Sequence, residues 1–216
     1  MVPVCAAVLI AFGHFANAED VSPADLALHE KGFGALQAGT RTFTADIVQT
    51  LTLQGIAKPV VSKAVLSYVS PDHLLIRFSQ PAGEWMIVDG TRVAVQKQGK
   101  SIDVRETSGQ GKSGSHAVSL LDFFNSGPER WHQSFDVTMT KEGDRLLVHL
   151  KPWMTPTSTF QGVKSITTAL QLPGYELLAM EIAMSGSNQI RYEFSNVRRN
   201  TKFDPALFAI PKEATP

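Results

Sequence analysis

Ala64-Val65-Leu66-Ser67-Tyr68-Val69-Ser70-Pro71-Asp72-His73-Leu74-Leu75-Ile76-Arg77-Phe78 holds two apolar stretches around one turn, and its reading decides the fold. Leu66 and Tyr68 recur at period two before the turn, as do Leu74, Ile76 and Phe78 after it, while Ser67, Arg77 and Ser79 fall on the opposite face. Such alternation marks strands with one buried face, and the short turn makes the pair antiparallel. Trp85 with Ile87, and then Val93 with Val95, extend the pattern. Between them Asp89-Gly90 is a hairpin signal, because glycine accepts the positive φ of a type I′ turn.

Working outward, short apolar stretches divided by turn residues predict strands at 41–54, 60–69, 74–80, 84–88, 92–97 and 101–106, then at 133–141, 145–151, 163–171, 177–184 and 188–196. Upstream, Ser22 is placed to cap a helix over 22–38, with Pro23 at its first position, Asp25 in its first turn, and Leu26, Phe33 and Leu36 near one face. A short helix is expected at 116–124, where Leu120, Leu121, Phe123 and Phe124 crowd onto one side before Gly127-Pro128. Pro205 to Phe208 suggests a last helical turn. The sum is about eleven strands and two or three helices in one domain.

The chain has 216 residues, 43% hydrophobic and 19% charged, which excludes wholesale disorder and a polytopic membrane protein. Lys+Arg and Asp+Glu are 20 each, so no global charge draws it to nucleic acid or to anionic lipid. Val4 to Phe15 is apolar and too short to span a bilayer, and Ala16-Asn17-Ala18 supplies small residues for a signal peptidase. The expectation is a cleaved signal peptide at 1–18 and an exported mature domain at 19–216. Cys5 is the only cysteine, so the mature chain would hold no thiol and no disulfide.

A single antiparallel sheet of this many strands twists and curls, leaving a concave apolar face that two short helices cover sparsely. That interior either closes as an ordinary core or stays partly open as a cavity for an apolar ligand; the pattern leaves both open. Pro152-Trp153-Met154-Thr155-Pro156, with Phe160 after it, is either a flap at the cavity mouth or a loop packed on the barrel end.

Catalytic and metal chemistries find little support. Gly109-Gln110-Gly111-Lys112-Ser113 is near a phosphate loop, but Glu106 stands where that loop needs glycine. The six histidines show no H-x-x-H or H-E-x-x-H grouping, and no G-x-S-x-G elbow occurs. No metal, cofactor or enzymatic activity is expected.

Phe43-Thr44-Ala45-Asp46-Ile47-Val48-Gln49-Thr50, the 64–78 stretch with Pro81, Ile87-Val88-Asp89-Gly90, the Leu120-Leu121 helix and the ending Tyr192-Glu193-Phe194-Ser195-Asn196-Val197 through Asn200, Phe203, Phe208 and Pro211 stand in an order that resembles the LolA family of periplasmic outer-membrane lipoprotein carriers. The resemblance covers nearly the whole mature chain. It implies an unclosed β-barrel with helices as a lid over an apolar cavity, and a monomer that takes acyl chains of lipoproteins, or another acylated lipid, from an inner-membrane donor to an outer-membrane acceptor. A stress-sensing or regulatory lipid-binding domain of the same fold is the alternative. With the alternation, it nominates Phe43, Ile47, Leu66, Tyr68, Leu74, Ile76, Phe78, Trp85, Ile87, Val93, Val95, Leu120, Phe123 and Phe124 as cavity lining, and Trp153, Met154 and Phe160 as mouth or lid. Two positions depart from the pattern it implies: Ser70 replaces an arginine that would pin the lid, and Val93-Ala94-Val95-Gln96 lacks aromatics. Glutamate at Leu66 or Ile76 is expected to reduce acyl binding while sparing the fold.

Overall fold

A computed structural model describes residues 18–106, 120, 123–124, 127–153 and 162–211. The expected signal segment, the glycine-rich 108–115 loop and most of the short helix at 116–124 fall outside the described residues.

One antiparallel sheet contains every strand: β1 (Glu19–Asp20), β2 (Thr42–Thr52), β3 (Val60–Val69), β4 (His73–Gln80), β5 (Ala82–Asp89), β6 (Arg92–Gln96), β7 (Asp103–Glu106), β8 (Phe135–Glu142), β9 (Arg145–Pro152), β10 (Val163–Gln171), β11 (Glu176–Met184) and β12 (Gln189–Arg199). The spatial order is β1-β8-β9-β10-β11-β12-β2-β3-β4-β5-β6-β7, so among the described residues β1 and β7 are the edges and the barrel is unclosed. The expected strands are present within a few residues. The twelfth, β1, is a two-residue acidic pairing on β8 that no alternation could announce.

The Leu66 pair forms as read, with Leu66 opposite Ile76 and Tyr68 opposite Leu74. Gly90 adopts φ 89° between β5 and β6, the left-handed conformation the Asp-Gly turn requires. Helix α1 (Pro23–Ala38) begins at Ser22, whose Oγ accepts the Asp25 amide at 3.2 Å. Gly127 and Pro128, expected to close a helix, instead open a further one, α2 (Pro128–Trp131). Leu120, Phe123 and Phe124 carry helical backbone.

Two layers of apolar packing hold the sheet. On the concave side α1, α2 and the 120–124 segment cover a continuous cluster that includes Phe33, Leu66, Ile76, Leu120, Trp131, Leu150 and Tyr192. On the convex side the C-terminal segment folds back, and Phe208, at the end of the 3-10 turn Pro205–Phe208, packs with Leu75 and Ile87 beside Trp85 and Phe203.

That second cluster corrects the sequence reading of β5. Trp85 and Ile87 were expected to line the cavity; they lie on the outer face, under the C-terminal segment. Leu74 pairs with Val88 and Ile76 with Met86, so Met86 and Val88 are the inward side chains. Cross-strand partners share a face, and β4 therefore sets the phase of β5.

Candidate functional site

Among the described residues, a few polar contacts join the parts of the cover to one another and to the sheet. Gly32 lets α1 approach Tyr175, since a Cβ there would lie 2.6 Å from the tyrosine ring. One turn earlier, His29 Nδ1 lies 3.1 Å from the Tyr175 hydroxyl. Glu30 Oε1 meets His132 Nε2 at 2.7 Å, tying α1 to the end of α2. Gln37 Nε2 donates to the Phe123 carbonyl at 3.3 Å, tying α1 to the 120–124 segment. Beneath the end of α1, Asn200 Nδ2 donates to the Gly39 carbonyl at 3.0 Å. Ser70, at the position where an arginine latch was implied, hydrogen-bonds the Tyr68 side chain instead.

Between cover and sheet lies a group of aromatic side chains in mutual contact. Phe124 lies 5.2 Å from Phe43 on β2 and is stacked 5.3 Å from Tyr68 on β3. Phe123 stacks on Trp131 at 5.9 Å, and Trp131 is 5.5 Å from Phe33 of α1. These separations are those of favourable ring pairs, worth about 0.5–1.5 kcal/mol each beyond their buried area.

A cleft of about 40 Å³ remains, bounded by Phe33, Leu36, Gln37 and Thr40 of α1, by Phe123 and Phe124, and by Phe43, Tyr68, Leu177 and Arg199 of the sheet. It has room for about three waters. This is the space that the sequence leaves either closed as a core or partly open as a cavity, and Phe33, Phe43, Tyr68, Phe123 and Phe124 line it.

The nominated residues divide accordingly. Phe43, Tyr68, Phe123 and Phe124 line the cleft. Ile47, Leu66, Leu74, Ile76, Val93 and Leu120 form the buried floor and walls, with Phe78 and Val95 packed at their edge. Leu66 and Ile76 have no exposure at all, so a carboxylate at either would be stranded among hydrocarbon; their substitution tests the core rather than the cleft. Trp153 is 47% exposed at the end of β9, its indole donating to Asp136 Oδ1 at 2.8 Å. Met154 and Phe160 lie outside the described residues.

Sequence reasoning missed the polar rim. Arg199 is half-buried beside the cleft, its guanidinium 5.9 Å from the Phe43 ring centroid, and burial lowers its pKa against a smaller opposing pull from Glu176. No carboxylate pairs with it among the described residues. Gln37 Oε1 is buried and accepts no hydrogen bond there. Tyr68 has its pKa raised, chiefly by burial. Among the described residues the site therefore offers aromatic surface, one cation and one unused acceptor, but no nucleophile paired with a base. Among the described residues no three His, Cys, Asp or Glu side chains cluster as metal ligands would.

The family model described as outer membrane lipoprotein carrier protein LolA matches residues 38–211. The chain belongs to the LolA family. A curated outer-membrane lipoprotein carrier protein from Chromobacterium violaceum is 25% identical over 207 residues, covering 96% of this chain and 91% of that protein. Among solved structures, an uncharacterized conserved protein from Thermus thermophilus aligns with TM-score 0.52 and 8% identity, covering 88% of this chain and 96% of the other. MucB aligns with TM-score 0.52 and 12% identity, over 88% of this chain and 64% of MucB. At those identities the two structures share the fold with this LolA-family chain, an open antiparallel barrel under a helical cover.

Proposed function

We propose that this LolA-family protein is a periplasmic carrier that shelters the acyl chains of lipoproteins, or of another acylated lipid, and passes them from an inner-membrane donor to an outer-membrane acceptor. Residues 1–18 serve as the cleaved export signal, and residues 19–216 act as one monomeric domain without cofactor. The observation that carries this reading is the aromatic cleft itself. It lies between a continuous apolar sheet face and a cover whose side-chain hydrogen bonds to the sheet, among the described residues, include His29 to Tyr175 and Asn200 to the Gly39 carbonyl, so parting the two exposes lipid-compatible surface without dismantling a strand.

The physical need is large. At about 0.8 kcal/mol per CH₂, one C16 chain in water costs about 12 kcal/mol, which forbids free diffusion across an aqueous compartment. The closed cleft is far too small for such a chain, so loading requires the cover to move and the aromatic rings to turn from core into wall. The ring contacts then set the balance between holding and release, and no bond is made or broken. An amphiphile whose chain enters the cleft would leave its head near Arg199 and Gln37.

Native mass spectrometry of protein purified from the cell envelope tests the proposal. An acyl lipid should co-purify and leave chemically unchanged, and delipidated protein should take up a fluorescent fatty acid. Transfer of cargo to acceptor vesicles separates a carrier from a regulatory binding domain. Protein that holds no lipid and takes up no acyl probe would refute the reading.

A further inference from the structure

The turn between β2 and β3 carries an unusual surface. Among the described residues eight large hydrophobic side chains are exposed, and Leu53 at 37%, Ile56 at 54%, Val60 at 50% and Val61 at 57% all belong to this one hairpin. The hairpin also projects. Pairing between its strands ends at Leu51 and Val60, whereas β4 stops at the Lys63–Gln80 pair, so Val60 to Ser62 run past their neighbour. The tip is ordered by one bond of its own, the Ile56 amide donating to the Leu53 carbonyl at 3.0 Å, and by one to the turn between β11 and β12, the Gln54 amide donating to Asn188 Oδ1 at 2.8 Å.

Charge along the hairpin itself has one sign. No Asp or Glu occurs between Asp46 and Asp72, while Lys58 and Lys63 fall in that interval, both exposed and in no ion pair among the described residues. On the adjoining turn between β11 and β12, Lys164 Nζ donates to the Gly186 carbonyl at 3.2 Å and adds a third cation to the same rim. The chain as a whole is neutral, so this is a local asymmetry. Exposed aliphatic side chains on a rigid loop would favour aggregation unless something apolar receives them. Aliphatic side chains beside unpaired lysines match a bilayer surface, where the hydrocarbon enters the headgroup boundary and the ammonium groups meet lipid phosphates.

We propose that the β2–β3 hairpin is a membrane-contact element that seats the protein transiently on an anionic bilayer surface. The aliphatic tip enters the interface, and Lys58 and Lys63 contact lipid phosphate. A contact of this kind is reversible, since four aliphatic residues fall well short of a spanning segment. It does not depend on what the cleft carries, and it would bring the cleft's protein to the membranes between which a carrier must move.

Co-sedimentation of envelope-purified protein with vesicles of equal parts phosphatidylglycerol and phosphatidylcholine, compared with pure phosphatidylcholine, provides the test. Wild type should bind the anionic vesicles more strongly, and 1 M salt should weaken that binding. Ile56→Ser with Val61→Ser should reduce it about tenfold, and Lys58→Glu with Lys63→Glu by a similar factor. Because all four side chains are exposed, thermal unfolding of both variants should match wild type. Wild type that ignores vesicles, including one whose hairpin instead cross-links to a protein partner, overturns the proposal. So does binding indifferent to the hairpin substitutions or to phosphatidylglycerol.

Discussion

Phe124→Ala removes the ring that sits 5.2 Å from Phe43 and 5.3 Å from Tyr68, at the seam between cover and sheet. A fully buried phenylalanine costs about 3–5 kcal/mol on truncation; this one is half-buried, so about 2 kcal/mol is the working figure. For a chain of this size that is a fall in Tm of about 4–8 °C. If the same contacts break when the cover lifts, the substitution also makes opening easier by about 2 kcal/mol, or about 30-fold in the open population. Part of that gain is offset because the guest loses Phe124 as a contact, leaving affinity for a fluorescent fatty acid about tenfold higher. The assays are thermal unfolding and probe titration with palmitate displacement. A Phe124→Ala protein whose affinity falls along with its Tm would refute the assignment of Phe124 to a moving cover.

Three further outcomes follow from particular contacts. Phe208→Ala, on the outer face at 3% exposure, should cost about 3–5 kcal/mol and roughly 10 °C in Tm while leaving acyl-probe affinity of the folded protein unchanged; altered affinity would mean the outer cluster communicates with the cleft. Arg199→Gln should weaken palmitate binding about tenfold and leave 1-hexadecanol within twofold, because only the carboxylate gains a charge-assisted hydrogen bond; equal losses would remove Arg199 from head-group recognition. His149 lies between Thr140 and Thr167 on the sheet, and burial lowers its pKa, so the native state favours the neutral ring. Stability is then fully present above the unfolded value of about 6.5, declines as pH falls toward the folded pKa, and levels off below it. The Tm of His149→Gln should decline less than wild type between pH 7.5 and 5; parallel curves would refute the effect.

Alternation was informative where only one face of a strand is apolar. Leu66, Tyr68, Leu74 and Ile76 point inward as read, since Ser67 and Arg77 mark the other phase. In β5 the run Trp85-Met86-Ile87-Val88 is apolar in both phases, and alternation has nothing to choose by. The choice was made elsewhere, by pairing with β4 and by a C-terminal segment that returns to cover Trp85 and Ile87. Leu75 is buried outside for the same reason.

Arg199 escaped notice through a bulge. Tyr192 and Phe194 face inward, and uninterrupted alternation would aim Asn196 and Arg198 the same way. The register of β12 against β2 shifts between Ser195 and Arg198, with Asn196 at φ 52°, and the inward phase passes to Val197 and Arg199. Trp131 was missed for a related reason. It stands between Arg130 and His132 in a polar stretch, yet the short helix α2 swings it under α1 and buries it to 1% exposure.

The succession of strands, the capped first helix and the apolar character of one sheet face belong to the sequence alone, because period, turn chemistry and capping act over a few residues. How nearly the concave face closes, which arginine reaches the cleft and which aliphatic residues remain in water were decided only in three dimensions. Those outcomes depend on residues far apart in the chain, Phe124 against Phe43, Phe208 against Ile87, Arg199 against Phe43, and no local pattern encodes a meeting of that kind.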